Sequence, residues 1–283
     1  MHHRKHMASR TTLLFGALPL ALMLSGCFDG SSSSSSRPQV QTGTFVDSPV
    51  AGLDYEGDRA RASRTDEAGR FEYRRGEALR FAIGELELGS ATGAEVLTPL
   101  SITADATDAQ DQRVTNKLIL LQTLDADGDL NNGIQITDAI RSRVSAQAAD
   151  IRFDQPPEQF RDSIAELIAA LEADGAFTDT DPRPRSIRGI DQARAHFARS
   201  TSPRHTVSTT YGEVRGFEAN ERTWQFLGIP YAKPPIGELR WREPEPPESW
   251  SGVREAVAWA DQSAQDMALE RINEGGMSED SLY

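Results

Sequence analysis

The sequence predicts a multidomain chain: a small all-β sandwich, then an α-helical segment, then a third segment of mixed strand and loop character. Three observations lead there. Between about residues 40 and 104, apolar and polar residues alternate, as they do in half-buried strands. Between about 105 and 200 the apolar spacing lengthens to three and four residues, the spacing of one helix face. From Thr206 the sequence changes character again, and TVSTTYGEVRGFE reads as two short strands around Gly212, with Val207 and Val214 as inward candidates.

In the β segment, 40–104, Gly43–Val46 and Val50–Tyr55 are short runs separated by Ser48-Pro49. Leu79, Phe81 and Ile83 alternate with other residues, and Leu86 and Leu88 repeat the pattern after Gly84. The stretch from Thr65 to Phe71 supplies a turn, with Asp66 and Gly69 where positive φ is needed. The strings FVDSPVAGLDY and TDEAGRFEY resemble small β-sandwich modules related to carboxypeptidase regulatory domains. That resemblance implies a spacer or adhesion element without chemistry of its own. In the helical segment, 105–200, Val114, Leu118, Leu121 and Leu124 fall on one face. Phe160, Ile164, Leu167, Ile168 and Leu171 follow the start signals Asp154 and Pro156-Pro157, and Asp174-Gly175 ends that run. Ile187, Ile190 and Phe197 mark a last helix. These stripes read as core contacts.

One loop carries potential chemistry. Asp125, Asp127 and Asp129 alternate in DADGDLNNG, followed by Asn131. A calcium ion takes six to eight oxygens at about 2.3–2.6 Å, which alternating carboxylates can supply. The loop departs from the EF-hand pattern twice, with Leu130 where Gly is required and Ile136 where Glu should clamp. Two readings stay open. One is a structural Ca²⁺ loop of Asp125, Asp127, Asp129 and Asn131, completed by backbone carbonyls; the other is a solvated Asp/Gly turn at a helix end.

The first 26 residues read as an address. Arg4, Lys5 and Arg10 precede the apolar run from Thr11 to Leu24, the layout of a secretory signal and too short to span a bilayer. Leu24-Ser25-Gly26-Cys27 follows and resembles the lipobox of bacterial lipoproteins. The resemblance implies cleavage before Cys27, its acylation and anchoring in the lipid bilayer. Phe28 follows the cysteine and Asp29 comes one later, which in that family points to the outer membrane. Residues 27–39 are then a Ser-rich tether. Cys27 is the only cysteine, so no intrachain disulfide can form. The net charge is −13, and the basic leader leaves the remainder more acidic still. Such a surface repels phosphate backbones, which argues against nucleic-acid binding.

The last segment, 205–283, is the most informative. It contains FLGIPYAKPPIGELRWREPEPPESWSGV and ends in SEDSLY. Phe226, Gly228 to Ala232, Pro234-Pro235, Gly237, Leu239-Arg240, Pro244, Trp250, Gly252-Val253, Ser278 to Asp280 and Leu282-Tyr283 are similar to the opening of type-B carboxylesterases, a branch of the α/β hydrolases. The resemblance implies that this segment is the truncated N-terminal edge of an α/β-hydrolase sheet. It also implies an Arg240–Glu279 salt bridge, structural and costly to break if buried. Disulfide-bearing relatives have cysteines where this chain has Ser263 and Ser281. Trp224, Trp241 and Trp250 are expected to pack.

Ester hydrolysis on that fold needs a Ser on a G-x-S-x-G turn, an oxyanion loop, an acid and a His. No G-x-S-x-G occurs in the sequence, and His196 and His205 precede or open the segment, so no catalytic residue is assigned. The expectation is the N-terminal part of an exported, lipid-anchored serine carboxylesterase. Its ester substrate would be handled by the full-length parent, no cofactor is required for the chemistry, and this fragment is itself inactive. The alternative is a non-enzymatic surface lipoprotein that binds a partner or Ca²⁺ and carries a relic esterase stub.

Overall fold

A computed structural model describes residues 39–59, 62–178, 184–220, 223–263 and 278–283. The strands of the β segment are β1 (Val40–Phe45), β2 (Val50–Ala51), β3 (Asp54–Gly57), β4 (Ser63–Arg64), β5 (Arg70–Arg74), β6 (Ala78–Ile83), β7 (Leu86–Thr92) and β8 (Val96–Leu97). Alternation sets their faces: Leu79, Phe81 and Ile83 of β6 are fully buried, and Arg80 between them is exposed. One sheet has the order β4-β3-β6-β7, antiparallel throughout. The other is β5-β1-β8, with β1 antiparallel to β5 and parallel to β8.

Aromatic side chains join the two sheets. Phe45 of β1 and Phe81 of β6 have ring centroids 4.9 Å apart, and Phe71 of β5 meets Phe81 edge-on at 5.3 Å. The predicted turn forms before β5. Asp66 Oδ1 accepts from the amides of Ala68 and Arg70, and Gly69 adopts φ +71°. A side chain at Gly69 would meet Phe45 O and Val50 N at 2.8 Å, so glycine is required there twice over.

The helical segment comprises α1 (Gln112–Thr123), β9 (Ile134–Gln135), α2 (Asp138–Ala146), α3 (Pro157–Ser163), α4 (Ala165–Ala173) and α5 (Ile190–Thr201). Asp111 caps α1 by accepting from Arg113 N. The sequence assigns α1 one apolar face; the structure buries every residue from Val114 to Thr123. The reason is its surroundings, since α1 packs on both α3 and α5 and its apolar residues join the core shared with the strands. The second stripe is found as expected: Phe160, Ile164, Leu167, Ile168 and Leu171 are all buried, across α3 and α4. Gly175 takes φ +65° just after α4.

β9 returns to the β segment and pairs with β2 in parallel, Val50 opposite Ile134 and Ala51 opposite Gln135. One hydrophobic core therefore runs from Phe45 through Phe197. The change near residue 104 is one of secondary structure; the apolar contacts continue across it.

The last segment adds β10 (Arg204–Ser208), β11 (Glu213–Asn220), β12 (Thr223–Gln225) and β13 (Val253–Glu255). The order is β10-β11-β12, antiparallel, and β13 lies parallel to β11. Glu255 ends β13 almost fully buried and accepts from both Arg204 and Arg215. Among the described residues no helix is long and apolar enough to cross a membrane.

Two stability predictions follow from buried charges. Lys117 of α1 is buried, donates to Thr103 Oγ1 at 2.6 Å and has its pKa pushed down to about 8 by burial. Its cost is full below pH 8 and fades as pH rises from there toward the unfolded value near 10.4. Lys117→Met is therefore expected to raise the melting temperature at pH 7, with a gain that shrinks between pH 8 and about 10. Glu255→Gln leaves two guanidinium groups without their carboxylate. It is expected to cost about 1–3 kcal/mol, since both guanidinium groups are partly exposed, measured as a lower urea midpoint.

Candidate functional site

Cys27, the leader and most of the tether lie outside the described residues. The Asp-rich loop between α1 and β9 is described in full. Asp125 is buried: Oδ1 accepts from Gln135 N at 2.9 Å, and Oδ2 finds no hydrogen-bond partner. Burial and the neighbouring charges of Asp127 and Asp129 hold its carboxyl well above the usual carboxylate range. Asp127 accepts from Asp129 N at 2.9 Å and from Asn132 Nδ2 at 2.8 Å. Asp129 accepts from Asn131 N at 3.1 Å through Oδ1 and pairs with Arg254 at 2.8 Å through Oδ2. Asn131 does not serve as a metal ligand here, because its Oδ1 already accepts from the amides of Val257 and Ala258. Among the described residues no three His, Cys, Asp or Glu side chains gather as a metal site. The geometry thus does not fit the calcium set of Asp125, Asp127, Asp129 and Asn131.

A second cluster went unseen in the sequence. Ser48, at the tight connection between β1 and β2, has φ +60° and is fully buried. Its Oγ donates to Leu130 O at 2.7 Å and lies 3.0 Å from His196 Nε2. Ser200 Oγ approaches the same nitrogen at 3.1 Å. Beside them the buried carboxylate of Asp47 accepts from Gln122 Nε2 at 3.1 Å on each oxygen. Burial raises the Asp47 pKa, and burial with the charges of Arg188, Arg199 and Arg204 lowers that of His196.

Serine, histidine and aspartate meeting in space invite comparison with a hydrolytic triad, and the hydrogen bonding answers it. The hydroxyl has one hydrogen, and it goes to Leu130 O. That hydrogen therefore points away from Nε2. With Ser48 and His196 both sealed from solvent, no ester can reach the pair. The cluster is a buried polar joint between the β1–β2 connection, α1, the Asp-rich loop and α5. Asp47-Ser48-Pro49 gives no hint of it in sequence beyond a turn.

In the last segment, Arg240 Nη2 donates to Glu279 Oε2, so the expected pair is present. Both side chains are about half exposed, so the pair lies at the surface and contributes little. Ser263 Oγ and Ser281 Oγ are 2.7 Å apart. Of the three tryptophans expected to pack, Trp250 does so, covering Gly212 and donating to Glu213 O at 2.9 Å. Trp224 is partly exposed and stacks on His205 with ring centroids 5.1 Å apart, whereas Trp241 is 97% exposed, on a turn where its own φ is +63°.

These contacts give two measurements. His196 is held neutral, so its contribution is full above the unfolded pKa near 6.5 and is lost as pH falls below that value. Relative to His196→Asn, the protein is expected to lose up to about 1.4 kcal/mol per pH unit below pH 6.5, followed by urea unfolding at each pH. In a Cys27→Ser background, Ser263→Cys with Ser281→Cys is expected to oxidise to a disulfide across a separation of 18 residues. It should add about 3 kcal/mol, visible as a reductant-sensitive rise in melting temperature.

Residues 203–283 match the profile of the Carboxylesterase family. The medium-chain fatty acyl-CoA hydrolase precursor of Anas platyrhynchos is 50% identical over 68 residues, 22% of this chain and 12% of that protein. The fumonisin B1 esterase of Sphingopyxis macrogoltabida is 42% identical over 90 residues, 30% of this chain and 16% of that protein. Among solved structures, the Geobacillus stearothermophilus carboxylesterase EST55 shares 44% identity, with 28% of this chain and 15% of that one covered, at a TM-score of 0.23. The chain thus spans less than a fifth of the length of these relatives. Within those bounds, residues 203–283 are similar in sequence to the Carboxylesterase family.

Proposed function

We propose that the chain is the N-terminal part of an exported, lipid-anchored serine carboxylesterase. The observation that carries this reading is the family match over residues 203–283. Two features inside it add support: Arg240 and Glu279 pair as the resemblance implies, and Ser263 and Ser281 touch where disulfide-bearing relatives place cysteines. Tyr231, Trp241, Val253 and Trp259 of the same segment are large apolar side chains left exposed, as contacts to further hydrolase sequence would require. Similarity to proteins named as an acyl-CoA hydrolase and a fumonisin B1 esterase favours carboxylic ester hydrolysis as the reaction class.

In this reading the reacting groups come from sequence beyond residue 283, since the chain contains no G-x-S-x-G. There a serine activated by a histidine attacks the ester carbonyl, and backbone amides stabilise the oxyanion. Cys27, acylated after export, holds the protein at the outer membrane through the Ser-rich tether.

Expression of the whole reading frame tests both halves of the proposal. Hydrolysis of p-nitrophenyl butyrate, abolished by a serine-directed phosphonate and absent from residues 1–283 alone, is the expected result. Labelled palmitate should enter the protein and be lost in Cys27→Ala. A full-length product without turnover would favour the non-enzymatic lipoprotein.

A further inference from the structure

Asn131 is 1% exposed, yet its side chain is spent on a stretch of sequence far from its own loop. Oδ1 accepts from Val257 N and Ala258 N, both at 2.9 Å, and Nδ2 donates to Ala258 O at 3.1 Å. Its backbone carbonyl accepts from Glu255 N at 2.8 Å. The fit is close: a side chain at Gly228 would stand 2.5 Å from Asn131 Nδ2 and 2.7 Å from Ala258 O. From the opposite side Arg199 of α5 donates to Val257 O at 2.6 Å.

Charge follows the same path. Asp129 pairs with Arg254 at 2.8 Å, with side-chain exposures of only 31% and 16%. Arg254 also donates to Gly228 O at 3.3 Å, which aims its guanidinium. Arg185 lies against Gly128 and donates to Ala126 O at 3.1 Å. The positive charge that a loop of three carboxylates attracts is thus provided by the chain's own guanidinium groups.

We infer that Asp125–Gly133 is a docking clasp, which fastens the strand-and-helix unit of residues 39–201 to the carboxylesterase-family segment by gripping the backbone of residues 255–258. The grip is on amides and carbonyls, and the side chains of Val257 and Ala258 are themselves buried beside it. The upstream unit is then a fixed part of the molecule that carries the family segment. Only the extension to a complete esterase domain rests on the function proposed above.

Hydrogen exchange read by mass spectrometry on the full chain tests the clasp, with CaCl₂ alone and EDTA alone as the ion probes. Asn131→Ala is expected to speed exchange across residues 253–258 by about tenfold or more while β6 and β7 keep their protection. Arg254→Gln, which leaves Asn131 in place, should loosen the same peptide to a smaller degree and carries the test if Asn131→Ala does not fold. Neither CaCl₂ nor EDTA should move the wild-type melting temperature. Unchanged exchange at 253–258 in both variants would overturn the inference. So would a uniform rise across the chain, or a calcium-dependent melting shift that Asp127→Asn abolishes. None of these readouts involves ester turnover, so the clasp and the esterase reading fail separately.

Discussion

Because α1 is dry from Val114 to Thr123, its polar side chains look for partners inside the protein, and those they find lie in several neighbouring segments. Thr115 donates to Ala109 O, and Asn116 to the carbonyls of Phe153 and Gln155. Lys117 reaches Thr103, and Gln122 reaches both Asp47 and the Ala193 carbonyl. Each bond is modest in net free energy, but leaving its buried partner unmet costs more than making it gains. The helix therefore fixes the β1–β2 connection, the loop before α3 and the start of α5 relative to one another. A burial demand becomes a positional one.

How much of this was legible follows from the range of each signal. Alternation at Leu79, Phe81 and Ile83 is local, and β6 stands where it predicts. The Asp66–Gly69 turn is likewise written in adjacent residues. Complete burial of α1 is not local: its polar residues look like a solvated face until the surrounding helices and strands are placed. Asn131 shows the same limit more sharply. In sequence it belongs to an ion-binding pattern, and in space it belongs to the residues just after β13, with Val257 126 positions away. Contacts at such distance leave no periodic trace.

Family resemblance located pairs that composition could not. Arg240 with Glu279, and Ser263 with Ser281, are found together where the motif implies. It said nothing of environment, and the Arg240–Glu279 pair is half exposed. The buried ion cluster of this segment is instead Glu255 with Arg204 and Arg215, which no motif announced. Arg204 and Arg215 arrive from neighbouring strands, so Glu255 is placed by sheet pairing.

The parallel pairing of β2 with β9 has a consequence for how the chain assembles. Hairpins such as β6–β7 close over a few residues and can form early. β2 waits for Ile134, and the hydroxyl of Ser48 for a histidine 148 residues downstream. Loop closure of that span carries an entropic cost before any contact offsets it. A chain emerging from its N-terminus first would therefore hold β2 with open backbone until β9 had appeared. That interval, before the late arrivals seal the sheet edge, is when holdase chaperones would have their substrate and when aggregation competes most strongly with folding.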